Sequence, residues 1–429
     1  MNKIKLYNDF FLIFIFVILL QILLKFSLYN CTFYDFGIIF KRQNFLEEKN
    51  YKDFFGGHIR IYEIFLNFLY NKVNHLFFYF FLISIQIFIY LLTFFYLRRK
   101  NKILSLIFLV NPIATNALFF DFHFEYLAVF FSTVFFYNSN KKYSIFLILP
   151  IIFISELYAF FSLFLIWLYF RNYKVNSIGL VFCVVIFLYV YFAIFYLFDW
   201  AVGGVYEKYN LNYQIEILYI TSSIIFVIFF SNKKFYSYFI KINNNNLIIL
   251  INIIIFIFFL FFFIHFKNIN FINLNNHYFL IISFLSSIVI YNFFIKNNYY
   301  KFIFLFFFLI FNPTIFGMQF YFNEGSVFYY KNYINFSNLE SQKNISQFIS
   351  SIDKNKNILI NNHLCNINVF NHNNIFISED ELHLKKIDYI IFTSHNYAEE
   401  QKNKFENVLN NYKIEYFNKN NNYIIGKIK

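Results

Sequence analysis

Apolar positions along this chain come in long blocks rather than in single faces. Runs such as Leu76–Leu97 and Val175–Phe198 hold almost nothing but Phe, Ile, Leu, Val and Tyr, and short polar stretches separate them. Alternation with a period near two or three and a half would mark half-buried strands or surface helices. Unbroken runs of this length instead predict membrane-spanning helices. Eleven such segments are expected: Phe10–Leu28, Leu76–Leu97, Ile103–Phe120, Phe124–Tyr137, Tyr143–Ser155, Leu157–Phe170, Val175–Phe198, Ile215–Phe230, Leu247–Phe266, Tyr278–Ile295 and Phe302–Gly317. The fourth to sixth are shorter than the roughly 20 residues that a bilayer crossing needs. The first follows Met-Asn-Lys-Ile-Lys, lacks a small-residue cleavage site and carries Lys25 near its end, so it reads as an uncleaved anchor.

The pattern changes near Asn335. From there to Lys429 charges are mixed and no apolar run reaches membrane length. Helices are expected at Asn344–Ile352 and Ala398–Tyr412, strands at Asn357–Ile360 and Ile387–Thr393. A hairpin over Lys413–Ile428 turns at Asn420–Asn422. The expected architecture is an all-α polytopic membrane bundle over residues 1–334, followed by a small α/β domain over 335–429.

Composition agrees. The chain is 59% hydrophobic and 14% charged, against about one quarter charged in soluble domains. Its 74 Phe residues exceed what a folded interior of this size would hide, so lipid is the expected cover. The abundance of Phe, Ile, Tyr, Asn and Lys is also what AT-rich coding produces, so motifs made of those residues carry little information. Cys31, Cys183 and Cys365 are widely spaced and form no metal or disulfide framework.

Charge gives sidedness. Alternating the loops puts Lys3, Lys5, Arg98–Lys102, Lys141, Lys142, Arg171, Lys174, Lys233, Lys234, Lys241, Lys296 and Lys301 on one side, with Asp9 the single acid among them. Short basic loops belong in the cytoplasm. The formal charge of +13 thus follows from topology, and no nucleic-acid partner is expected. The expected location is a bacterial inner (plasma) membrane, multi-pass, with the N-terminus cytoplasmic and the C-terminal domain external.

Ionisable residues near the apolar runs gather on the external side, where a charge within a span would cost about 2.5–3.5 kcal/mol. Asp35, in Tyr34-Asp35-Phe36-Gly37, follows the first span and suits a general base, a metal ligand or an interfacial loop cap. Gly56-Gly57-His58-Ile59-Arg60 joins a permissive backbone to two groups able to face a phosphate, or is an ordinary loop. Asp121, His123 and Glu125 stand at alternate positions: an extended chain would point all three one way, a helix only Asp121 and Glu125. Glu156 is the lone acid in Ile151–Phe170: mid-membrane if the stretch is one span, at a re-entrant tip if it is two, or in a simple turn between two short helices. Asp199, Glu207, His265, His277 and the histidines after residue 335 read as solvated surface groups.

In their order these features resemble the polytopic domain-of-unknown-function family 2079, which is grouped with GT-C glycosyltransferase-like membrane proteins. Its pattern is an Asp-Leu/Phe-Gly segment after the first span, a His before an amphipathic stretch, a Phe-Asp-Phe-His-x-Glu segment and a Lys-Glu-Asp segment. The matching residues are Asp35-Phe36-Gly37, His58, Asp121-Phe122-His123-Phe124-Glu125 and Glu156, with Ser155 and Leu157 departing from the last pattern. The resemblance is best over Tyr34–Phe160. It implies transfer of a sugar from a polyprenyl-phosphate donor to an acceptor on the external face, with inversion at the donor carbon. Asp35 would then be the catalytic base, with His58, Arg60 and His123 on the donor phosphate. Asp121, Glu125 and Glu156 would shape the sugar pocket or hold a divalent cation such as Mg or Mn. Two other expectations stand beside this one: a non-enzymatic transporter or lipid-binding protein, and a relative that has lost activity.

Overall fold

The computed structural model describes residues 61–70, 72–73, 75–109, 111, 114, 124–154, 156–173, 176–191, 280–291, 347–360, 375–376, 387–393, 414–419 and 423–428. The expected spans Phe10–Leu28, Ile215–Phe230, Leu247–Phe266 and Phe302–Gly317, and the expected helix Ala398–Tyr412, lie outside these residues.

Between residues 61 and 291 the described elements are all helical. In chain order they are α1 (Ile61–Tyr70), α2 (His75–Lys100), α3 (Lys102–Leu109), α4 (Glu125–Asn138), a 3₁₀ helix (Lys142–Ile148) running into α5 (Leu149–Ile152), α6 (Glu156–Tyr173), α7 (Ser177–Tyr191) and α8 (Leu280–Ile290). With 26 residues, α2 is about 39 Å long. Its stretch Phe80–Lys100 is, among the described residues, the one helix long and apolar enough to cross a membrane. The apolar helices Lys142–Ile152, Phe161–Phe170 and Ser177–Tyr191 are shorter.

The turn from α2 into α3 is made by Asn101. Its backbone N–H donates to Leu97 O at 2.7 Å, and its side-chain oxygen accepts from the N–H groups of Ile103 and Leu104, both at 3.0 Å. Ncap asparagine of this kind satisfies donors that the first helical turn leaves orphaned. α3 then folds back along α2, and the buried Tyr90 hydroxyl donates to Leu109 O at 2.7 Å. The expected span Ile103–Phe120 is therefore not one continuous helix. α3 stops at Leu109, and Asn111, outside the helix, precedes Pro112, a position where helical backbone is disfavoured.

The segment expected as a short span at Tyr143–Ser155 is also different. It is a 3₁₀ helix that passes into a single α-helical turn. A 3₁₀ helix rises about 2.0 Å per residue against about 1.5 Å in an α-helix. Seven residues of the first and four of the second climb about 20 Å, which matches the roughly 21 Å of the 14-residue α4 that it runs back along. Extended pitch lets a short segment make the return.

Two buried clusters hold the bundle. Phe78, Leu82, Tyr90, Phe94, Phe108 and Tyr126 join α2, α3 and α4 with α8 through Leu280, Phe284 and Ile288. Ala128, Phe135, Ile148, Ile152, Tyr158, Leu163 and Ile186 join α4 to the 3₁₀ segment, α6 and α7. At the contact of α6 with α7 the buried Gly179 faces Phe170 so closely that a Cβ would overlap its ring carbons. The Gly179 N–H also donates to Asn176 Oδ1 at 2.9 Å, capping α7.

The C-terminal residues form a five-stranded sheet in the order β2-β1-β3-β5-β4, with β1 Ile358–Ile360, β2 Ile375–Phe376, β3 Tyr389–Thr393, β4 Ile414–Lys419 and β5 Tyr423–Ile428. β1 pairs in parallel with β2 and β3, whereas β3–β5 and β5–β4 are antiparallel. Residues 347–351 are helical ahead of β1. β1, β3 and the antiparallel pair β4–β5 fall within the segments where the apolar pattern places strands. β2 was not expected. Asp388 ties the sheet together: its carboxylate accepts from Asn357 N–H at 3.0 Å and lies 3.7 Å from Lys356 Nζ. Its backbone N–H donates to Asn357 O at 2.9 Å, and its carbonyl accepts from Ile428 N–H at 2.9 Å.

Replacing Gly179 with Ala should force the fully buried Phe170 ring out of its rotamer and destabilise the protein by about 1–3 kcal/mol. Thermal unfolding in detergent reads this, and Gly179→Ala with Phe170→Leu should recover most of the loss. An unchanged unfolding midpoint in the single variant would contradict the α6–α7 contact.

Candidate functional site

The bundle has two chemically distinct ends. At one, the C-terminal turns of α2, α4 and α6 converge. Asn138 Nδ2 at the end of α4 donates to Tyr96 OH in α2 at 2.8 Å. Asn172 Nδ2 in α6 donates to Ser139 O at 2.9 Å, the Tyr173 hydroxyl to Asn140 O, and Tyr169 OH to Lys142 O at 3.3 Å. Lys100 Nζ sits 5.7 Å and 5.9 Å from the ring centroids of Tyr96 and Tyr137. This end carries Arg98, Arg99, Lys100, Lys102, Lys141 and Lys142, and cations there complement the negative ends of three helix dipoles.

At the other end lie the N-termini of α4 and α6. Glu125 is the first residue of α4 and Glu156 the first of α6. Both helices enter the bundle in the same direction. Ala128, one turn into α4, and Tyr158 and Ala159, in the first turn of α6, belong to one buried cluster.

Glu125 is only 2% exposed. Phe124 before it has helical backbone angles, φ −65° and ψ −16°, so the extended alternative for Asp121, His123 and Glu125 does not reach Glu125. The turn is fixed by its neighbours. Phe124 packs on Tyr62 of α1 with ring centroids 3.7 Å apart, and the fully buried Tyr126 donates its hydroxyl to Ala114 O. The helix α1, which follows directly on the Gly56–Arg60 segment in sequence, is thereby held against the start of α4. It buries Leu66 and exposes Ile64, Phe65 and Phe68.

Glu156 resolves the second alternative. Residues 153 and 154 are a turn, so Ile151–Phe170 is not one span, and Glu156 opens a helix instead of lying mid-span. Asp35, His58, Arg60, Asp121 and His123 lie outside the described residues. Of the seven candidates, two are thus placed, and they stand at the same end of the bundle.

Two features near these acids escape sequence reasoning. Tyr126 is one of 37 tyrosines, and only its position after Glu125 distinguishes it. Asn111 Nδ2 donates to Ser283 O at 2.9 Å and Ser287 Oγ at 3.1 Å, which joins the end of α3 to α8 across more than 170 residues. Among the described residues, no group of three His, Cys, Asp or Glu side chains has metal-site geometry. No family model, no curated protein and no solved structure matches this chain.

Tyr126→Phe should remove the donor that satisfies the buried Ala114 carbonyl, at a cost of about 1–3 kcal/mol. Denaturation in detergent measures it, and a neutral substitution would show that water or another group reaches that carbonyl.

Proposed function

We propose that this chain is an integral-membrane, GT-C-like glycosyltransferase that takes its sugar from a polyprenyl-phosphate carrier at the external face. The supporting observation is the polarity of the bundle: Glu125 and Glu156 open two helices at the end opposite the basic turns. Basic ends of this kind face the cytoplasm, which leaves the acids at the outer membrane surface, where a lipid-borne donor presents its phosphate.

A membrane setting is supported by α2. Its exposed side chains Phe77, Phe80, Phe88, Leu92 and Phe95 lie on one side of the helix at helical spacing, with the exposed Ser84 between Phe80 and Phe88. From Phe77 to Phe95 is about 27 Å, close to the roughly 30 Å of bilayer hydrocarbon. The full span count and the external C-terminal sheet are parts of the same proposal, with the first domain over 1–334 and the second over 335–429.

In this reading Asp35 takes the proton of an acceptor hydroxyl. The acceptor oxygen forms a bond to the donor carbon as the carbon–phosphate oxygen bond breaks with inversion. His58, Arg60 and His123 balance charge on the departing phosphate. Asp121, Glu125 and Glu156 bound the sugar or hold Mg or Mn, whose chemistry would be to neutralise that phosphate. Local order supports a role for Glu125, because an acid held in a buried turn loses little freedom when it meets a ligand.

Purified protein should carry polyprenyl phosphate detectable by mass spectrometry, and proteoliposomes supplied with polyprenyl-phosphate-linked sugars should show turnover. Asp35→Asn should insert normally and retain the lipid yet lose turnover by at least about 100-fold. Full activity in that variant would remove the assigned base. Uptake of solute without any turnover would favour the transporter reading, and bound carrier with no turnover in the wild type would favour an inactive relative.

A further inference from the structure

The exposed stripe on α2 does not stop at the hydrocarbon. Continuing its spacing from Phe88, Leu92 and Phe95 reaches Arg99, which is also exposed. Lys102 stands exposed just beyond, at the start of α3. The eleven-residue step from Phe88 to Arg99 is about 16 Å, and half of a bilayer's hydrocarbon is about 15 Å. This helix face thus offers an apolar track one leaflet deep, with Arg99 at its polar end and Lys102 in the turn that follows.

We propose that this face binds an anionic diacyl phospholipid of the inner leaflet, its acyl chains along Phe88, Leu92 and Phe95 and its phosphate at Arg99 and Lys102. Three features favour this occupant. Arg presents a planar fork suited to phosphate oxygens. No acidic residue of the described bundle lies at this end to neutralise the cations: Glu63, Glu125 and Glu156 all stand elsewhere. The turn beside the track is also rigid, since Asn101 caps α3 with two hydrogen bonds. Lys100 is drawn aside over Tyr96 and Tyr137, which leaves Arg99 and Lys102 to face the headgroup. A free phosphate would use the cations alone and ignore the track.

This inference rests on the membrane reading and is independent of sugar transfer. Its test uses full-length protein extracted from membranes in detergent, with retention of added phosphatidylglycerol and phosphatidylcholine of matched acyl chains compared by native mass spectrometry. The wild type should prefer phosphatidylglycerol, and glycerol phosphate in excess should not displace it. Arg99→Gln with Lys102→Gln should reduce retention about 30-fold, given about 1 kcal/mol for each basic residue near an anionic surface. Arg99→Lys with Lys102→Arg, which keeps both charges, should retain the preference, and a monodisperse elution profile checks folding of each variant. Equal retention of the two lipids, an unchanged preference in the Gln variant, or displacement by glycerol phosphate would each overturn the site. Recovery of the protein from the aqueous fraction without detergent would overturn this inference and the membrane reading together.

Discussion

A hydroxyl, amide or peptide group buried in an apolar helical bundle is costly unless it finds its hydrogen-bond partner within the protein. The bundle is organised by this constraint. Thr93, Thr133 and Ser162 fold back onto carbonyls four residues earlier, at 2.9, 2.7 and 2.9 Å. Where α3 ends inside the bundle, the carbonyl left over at Leu109 takes its donor from Tyr90, the Asn111 amide reaches α8, and Tyr126 donates to Ala114 O further along the chain. Among the described residues, the buried hydroxyls of Ser132 and Ser144 lack a partner. Tyrosines that look like ordinary aromatic filling therefore satisfy buried carbonyls, Tyr90 at the end of α3 and Tyr126 at Ala114.

The same constraint explains how short segments are tolerated. A 14-residue helix and an 11-residue return cannot each cross the bilayer's full hydrocarbon. α4 packs against α2, α6 and the return segment, while the return segment keeps Tyr143, Phe146 and Leu149 exposed. Broken helices of this kind are expected where irregular backbone is enclosed by protein or borders a cavity. The break before Glu156 and the turn before Glu125 each make an acidic residue the first of a helix, at one end of the bundle, and this is what connects the fold to the proposed chemistry.

Much of this was legible in the chain. The long apolar run of α2, the limits of α4 and the strands flanking residues 358 and 390 follow directly from block length and alternation. The basic turns were legible as one side, and the structure brings those of α2, α4 and α6 together. What the chain hid was which apolar residues face inward. In α2, Phe88 is 64% exposed and Phe94 is fully buried, yet both are Phe in a run that is apolar on every face, so periodicity is silent. The 3₁₀ segment was hidden because its residues suit either helix and the return distance to α4 decides. β2 has two residues, too few for alternation to register. The early stop of α3 had a local signal in Asn111-Pro112 that the surrounding apolar run outweighed. For the site, Glu125 and Glu156 were conspicuous as charges in apolar surroundings, whereas Tyr62 and Tyr126 were lost among many similar residues.

The account depends on the acidic and basic ends of the bundle lying on opposite sides of a membrane. The direct measurement is labelling of single cysteines, in a background with Cys31, Cys183 and Cys365 replaced by Ala, using a membrane-impermeant maleimide on intact cells. Lys72, exposed in the turn between α1 and α2, when changed to Cys should label from outside, and Asn140→Cys, in the basic turn after α4, only after the membrane is permeabilised. Labelling of both positions in intact cells, or of Asn140→Cys alone, would contradict it.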